Sequence, residues 1–429
     1  MRVSGIAIAA LPAFCAAMVF GALPADAQQP AAAPAPLALS LSRDERAALE
    51  ALRAAASGTD RAAQDAALAA ARAAARSADA RYALAHYQLE IGRARQDPQM
   101  TAQAVDVLVA SGRAQPGELP SLLANQASRA YFAGEYERAD RLLARVTELD
   151  PGNALILADH AQIKAQLAGA LLMAGRQAEA LAGFRQAVDM LRRAITLRGD
   201  GPQRAPESWH LRALAIAVQA GQTAESIALA QGLVAAYPSP INWRDALLVY
   251  GPAAQADPAL TLDIWRLRRA AGGLAGGSDY LDHARAAVGA GLPGEVKAVL
   301  DEGVARGMLD ASEPIVRQMN AANNRRVAAD LSGLARLRTQ ALAAAEAEPA
   351  LAAGDAHFGH GRYAEAAELY RAALQKSGAD TDLLNARLGA ALALAGQRAE
   401  AEAALRAVTG RRADLARFWL VRLAQPSAR

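Results

Sequence analysis

The densest group of side chains able to bind a metal or move a proton is Asp355, His357 and His360. Two imidazoles and a carboxylate at i, i+2 and i+5 could begin a cation site, but His357 falls at a packing position of its helix and no further ligand stands nearby. His86, His160, His210 and His283 stand alone and read as surface or hydrogen-bonded histidines, not as ligands or bases. The chain has no phosphate-binding Gly-x-x-x-x-Gly-Lys loop and no Gly-x-Gly-x-x-Gly after a strand. It also lacks His-Glu-x-x-His and Gly-x-Ser-x-Gly. The expectation is therefore no catalytic residues, no metal, no cofactor and no enzymatic activity.

What the spacing does show is a grid. Gly221, Ala256, Gly291, Arg326, Gly361 and Gly396 follow one another at intervals of 35 residues, each where one Ala/Leu-rich stretch gives way to the next. Three of them open similar phrases: Gly221-Gln-Thr-Ala-Glu-Ser, Gly361-Arg-Tyr-Ala-Glu-Ala and Gly396-Gln-Arg-Ala-Glu-Ala. A fixed period of roughly 20–50 residues marks a stacked repeat architecture, which acts through a long surface more often than through a catalytic pocket.

The elements that carry this grid are helical. From Arg43 to about Leu423 apolar residues recur at i, i+3, i+4 and i+7, with Asn, Gly and Pro as punctuation, and no alternating strand pattern appears. Ser42 should cap the first helix, with Asp44 and Glu45 in its first turn favoured by the helix dipole. Helices are expected at 43–57, 61–77, 80–95 and 99–111, and the segment 112–117 as a loop. Gly134 to Gly175 spans 41 residues and Gly175 to Gly221 spans 46, so the helices near 153–174 and 177–197 should be longer than standard. The Gly-rich segment 270–278 reads as a hinge between repeats.

The composition fits such a fold: 53% of the 429 residues are hydrophobic but only 4% are aromatic, so the core must be closely packed Ala, Leu and Val. The 46 basic and 43 acidic residues leave a net charge of +3 and no run of one sign, which gives no support for a nucleic-acid partner. Trp209, Trp243, Trp265 and Trp419 read as core residues.

Residues 1–27 read as a secretory signal peptide, with Arg2, an apolar stretch from Gly5 to Leu23 and a small-x-small site at Ala25-Asp26-Ala27. Residues 28–41 read as a disordered Pro/Ala-rich spacer. Cleavage would remove Cys15, the sole cysteine, and leave a mature chain unable to form disulfides. The expected location is the periplasm or outside the cell, with no membrane insertion after cleavage. The alternative is an inner-membrane anchor formed by an uncleaved signal, since Ile6–Leu23 approaches the ~18 residues of a spanning helix.

Residue by residue, the repeat resembles the tetratricopeptide (TPR) family. The segment from Ala127 to Pro151 supplies a small residue at Ala127, a turn glycine at Gly134, Tyr136, a small residue at Ala139 and a closing Pro151. Further matches are Ala168, Gly175, Ala180, Phe184 and Ala187; then Gly221, Ser226, Leu233 and Pro238. Two more are Gly354, Gly361, Tyr363, Ala366, Tyr370 and Ala373, and finally Gly389, Gly396, Ala401 and Val408. Small residues are needed where helices A and B of a unit cross, and glycine accepts the left-handed backbone that ends helix A. Between them, Val296 and Leu331 occupy the small position.

The resemblance implies an all-α fold, an α-solenoid of antiparallel helix pairs in a right-handed superhelix. It divides the chain into irregular helical pairs at 42–117, TPR-like repeats at 118–238, degenerate repeats at 239–345, and C-terminal repeats with a capping helix at 346–424. It also implies a concave groove for protein partners lined by helix A residues. By register these are Ser121, Ser128, Tyr131, Gln162 and Gln166, then Ser208, Arg212 and Gln219, then Asp355 and Phe358. The basic clamp of some cytosolic members is mostly missing, since Ala124 and Ser128 stand where Lys and Asn would be expected. The functional expectation is an exported scaffold or adaptor in envelope assembly, secretion or polysaccharide export. The alternative is a polysaccharide-binding accessory of an export machinery, against which the low aromatic content weighs.

Overall fold

The computed structural model describes residues 38–254 and 257–425, in which twenty α-helices and no strand are found. The expected signal peptide, most of the expected spacer and the grid position Ala256 lie outside the described residues. The described helices are arranged as antiparallel pairs, the all-α build expected of a TPR-like repeat array. The chain divides into two compact units, one ending at Ala205 and the other beginning at Pro206. That division falls inside the block expected at 118–238.

Unit 1 holds α1 (Arg43–Ala56), α2 (Arg61–Ala74), α3 (Ala78–Ala94), α4 (Pro98–Ala110), α5 (Leu119–Phe132), α6 (Tyr136–Leu149), α7 (Ala154–Met173) and α8 (Gln177–Arg198). Ser42 caps α1 as expected, in a reciprocal capping box with Glu45. Glu45 also accepts hydrogen bonds from the backbone N–H groups of Arg76 and Ser77, at 3.0 and 2.7 Å, tying α1 to the start of α3. The last residues of the expected spacer are ordered parts of the unit. Leu39 and Leu41 pack against its core, and the Ser40 N–H donates to Asp79 at 2.6 Å. At 20 and 22 residues, α7 and α8 account for the long glycine intervals. Their crossing is tight: a Cβ on Gly183 would stand 2.9 Å from that of Ala168.

Unit 2 holds α9 (Glu207–Gln219), α10 (Thr223–Ala236), α11 (Pro240–Ala254), α12 (Pro258–Ala270), α13 (Gly277–Gly289) and α14 (Pro293–Ala305). It continues with α15 (Pro314–Ala343), α16 (Ala347–Gly359), α17 (Tyr363–Ala373), α18 (Thr381–Leu394), α19 (Arg398–Arg406) and α20 (Ala413–Ala424). The grid glycines Gly221, Gly291, Gly361 and Gly396 end helices with φ between 65° and 79°, the left-handed turn that glycine adopts without a Cβ clash. The reason for the glycine in α16 is equally direct: a Cβ on Gly354 would lie 2.5 Å from the ring of Tyr370, which is fully buried between the pairs.

Two features of unit 2 depart from a regular array. The turn expected at Arg326 does not form, and α15 runs unbroken for 30 residues. Arginine at the glycine position cannot take positive φ without strain, and the neighbouring residues sustain a helix instead. The second departure is α20, the expected cap. It packs not only beyond α19 but against α10, α12 and α18. Phe418 is buried beside Trp243 and Tyr250, with ring centroids 6.2 and 6.0 Å away. Gln425 accepts from the Trp243 indole at 3.3 Å and donates to the Val234 carbonyl at 2.8 Å.

Candidate functional site

The groove residues expected from the sequence lie on α5, α7, α9 and α16, and the structure treats them unequally. In unit 1, Gln166 is exposed on α7, and Ser121, Ser128, Tyr131 and Gln162 are half-buried on α5 and α7. Tyr131 packs edge-on against Phe132 and Tyr136, at 5.5 and 5.6 Å between centroids, so an aromatic corner forms where α5 turns into α6. His160 Nε2 donates to Asp140 at 2.9 Å while Lys164 donates to the other carboxylate oxygen at 2.8 Å. In unit 2, Ser208 and Gln219 are exposed on α9, and Arg212 between them is half-buried.

Asp355 and Phe358 are not groove-facing. Phe358 is buried, with the Arg266 guanidinium 4.4 Å above its ring and Tyr363 edge-on at 5.1 Å. Asp355 accepts from the Tyr370 hydroxyl at 2.7 Å and from Arg387, and Arg266 stands at 3.4 Å. Arginines of α12 and α18 reach this side of α16 and take up both residues, which removes them from any open surface. The neighbouring histidines are likewise engaged within the chain. His357 Nδ1 bonds the Ala353 carbonyl at 2.8 Å, and His360 Nε2 meets Asp330 at 2.7 Å. Among the described residues no group of three or more acidic, His or Cys side chains is placed to hold a metal ion.

Around Arg266 lies a buried charge network that the sequence reading missed. Glu295 on α14 accepts from Arg266 at 2.8–3.1 Å and meets His283 of α13 at 3.0 Å, all three side chains being almost wholly buried. Asp263 accepts from Arg387 at 3.0 Å, and Arg412, just before α20, binds Asp257 at 3.0 Å. Burial pushes the Glu295 carboxyl up. The Arg266 charge and the His283 hydrogen bond outweigh it and hold the group well below the usual carboxylate range. Burial also lowers His283, against the pull of Glu295, which keeps the imidazole neutral near pH 7. A cavity with about 10 Å³ for a water centre lies among Asp263, Arg266, Phe358, Arg387 and Trp419. That admits roughly one water molecule and no substrate. The signal in the sequence was the placement of Asp263 and Arg266 on the apolar period of α12, between Leu260 and Leu267.

No family model and no curated protein matches the chain. Among solved structures it is similar to a tetratricopeptide repeat protein from Parabacteroides merdae, at 13% identity and a TM-score of 0.31 over 82% of this chain and 100% of that one. It is also similar to human IFIT1 in a dimer with PPP-AAAA, at 15% identity and a TM-score of 0.28 over 76% of this chain and 63% of that one. A third likeness is to the Cut9–Hcn1 assembly of the APC/C, at 14% identity and a TM-score of 0.24 over 81% of this chain and 67% of that one. At this level of superposition the likeness adds nothing to the fold reading, which rests on the chain's own helix pairs, turn glycines and small crossing residues. Among the described residues no helix is long and apolar enough to cross a membrane.

Proposed function

We propose that the protein is an exported, non-enzymatic scaffold that holds protein partners against the helix A faces of its repeats, in envelope assembly, secretion or polysaccharide export. The observation that carries this reading is in unit 1. There a stack of helix pairs, sealed by small apolar residues, keeps Gln166 exposed and Ser121, Ser128 and Gln162 partly accessible on successive A helices. Polar side chains held on rigid helices suit recognition of an extended chain or a helix, because little flexibility is lost on binding. Export is supported by the apolar N-terminal stretch and its small-x-small site.

The test is site-specific photo-crosslinking in intact cells, with the crosslinker at Gln166 on α7 or at the exposed Arg141 on α6. Discrete envelope-protein adducts from position 166 and none from 141 support the helix A surface. Equal adducts from both positions, or none from either in a folded and exported protein, overturn it. Retention of the purified protein on polysaccharide at near-physiological salt, lost on Tyr131→Ala, would establish the glycan-binding alternative in its place.

A further inference from the structure

The helix B crossing position, five residues after each turn, is buried at six of the folded-back pairs and half-buried at Thr261. Ala139, Ala180, Ser226, Val296, Ala366 and Ala401 are 0–3% exposed, whereas Leu331 is 46% exposed. The cause is the missing turn at Arg326. In the other units helix A returns across this position, but α15 runs straight through it, so among the described residues no helix covers the face that helix A would cover.

That face has the pattern of a helix-packing seam. Ala321, Asn324, Ala328, Leu331, Ala335 and Leu342 repeat at alternating steps of three and four (the last step spanning seven) and all are exposed. A second, separate stripe of α15, with Val316, Asn323, Leu334 and Ala341, is the one buried against its own unit. The exposed seam is small and apolar enough for another helix to approach closely. The charges along it within α15 are basic: Arg317 lies in line with it and Arg325 and Arg336 lie along one flank, about 16 Å apart along the helix. The carboxylates near it are Glu313 at the N-cap and Glu368, which Arg338 engages at 2.9 Å on the other flank. The only acidic residue of α15, Asp330, is turned toward His360 on the packed side.

We propose that the exposed seam of α15 docks an acidic amphipathic helix of another protein, which supplies in trans the helix A that this repeat lacks. The apolar heptad residues set the packing, and Arg317, Arg325 and Arg336 select carboxylates at the partner's flanking positions. A second copy of this chain is disfavoured because it would set one net positive face against another. This surface is distinct from the helix A faces of unit 1 and does not depend on their role.

The experiment uses the full-length protein and two synthetic amphipathic helices with the same Leu/Ala seam, one flanked by Glu and one by Lys. Fluorescence anisotropy should show the Glu-flanked peptide binding at least tenfold more tightly. Leu331→Glu should abolish that binding with an unchanged melting curve, and Arg325→Glu with Arg336→Glu should reverse the preference toward the Lys-flanked peptide. Equal binding of both peptides, or binding that survives Leu331→Glu, overturns the proposal. So does unfolding by Leu331→Glu, which would place that residue in the core. A dimer in sedimentation that Leu331→Glu dissociates would assign the seam to a second copy. An oligonucleotide that binds the arginines while neither peptide does would assign it to nucleic acid.

Discussion

In unit 1 the residues that seal successive pairs are Ala127, Ala139, Leu143 and Ile163, and ion pairs such as Arg95–Asp65 and Arg129–Asp106 reach solvent. In unit 2 the helices are joined by charge in the interior, from Glu295 through Arg266 and Asp355 to Arg387, and α20 returns to α10 and α12. Unit 1 is therefore close to a nearest-neighbour stack, in which each pair depends on the next. In unit 2 the last helix is a structural partner of the first pairs, so local damage should be felt throughout. The contrast can be read by one probe, because Trp209, Trp243, Trp265 and Trp419 all lie in unit 2.

The largest effect should come from Arg266→Ala, which leaves Glu295 buried without its cation. Breaking a buried pair in this way costs about 3–5 kcal/mol. Urea unfolding followed by tryptophan fluorescence should show the full loss, while helical signal from unit 1 unfolds at its former midpoint. A loss below about 1 kcal/mol would mean that water reaches the network and that it does not join the helices as described. Phe418→Ala should cost a comparable ~3–5 kcal/mol by opening a cavity against Trp243 and Tyr250. If α20 were a separable cap, the same substitution would only fray the last helix and leave the emission of Trp209 and Trp265 unmoved.

An intermediate effect separates the units directly. Ala139→Leu and Ala366→Leu each force extra volume into a fully buried helix crossing, and each should destabilise by roughly 1–3 kcal/mol. Ala366→Leu should shift the tryptophan transition and Ala139→Leu should not. Unchanged melting of both proteins would show that these residues are not at the crossings.

Most of this fold was legible in the sequence, and the exceptions have physical causes. Gly134, Gly221, Gly361 and Gly396 marked the turns because a left-handed residue after a helix is nearly always glycine, and the small residues marked the crossings. Arg326 was misplaced as a turn because the period alone was followed, while its side chain forbids the backbone that the turn requires. Asp355 and Phe358 were assigned to the groove by local register. What buries them comes from Arg266 and Arg387, which lie 89 and 32 residues from Asp355, and local periodicity holds no record of such contacts. The return of α20 was unreadable for the same reason, although the density of aromatic residues in Phe418-Trp419 was a sign that the helix packs on two sides.

The smallest effect is a pH dependence confined to unit 1. The backbone N–H of Ser77, and then that of Ser42, lower the Glu45 carboxyl from its ordinary 4.5 to about 2. A carboxylate whose folded value is depressed contributes stability that is fully present above the unfolded value and is lost as pH falls through the folded one. The contribution of Glu45 should thus be intact at pH 6, decline between about 4.5 and 2, and be absent below that window. Glu45→Gln keeps the shape but loses the charge that strengthens these hydrogen bonds. Thermal melts followed by circular dichroism should find the variant less stable than the parent at pH 6, with the two converging toward pH 2. The tryptophan transition of unit 2 should be the same in both proteins at every pH. A gap that stays constant from pH 6 to pH 2 would show that the loss comes from side-chain packing and not from the carboxylate held between α1 and α3.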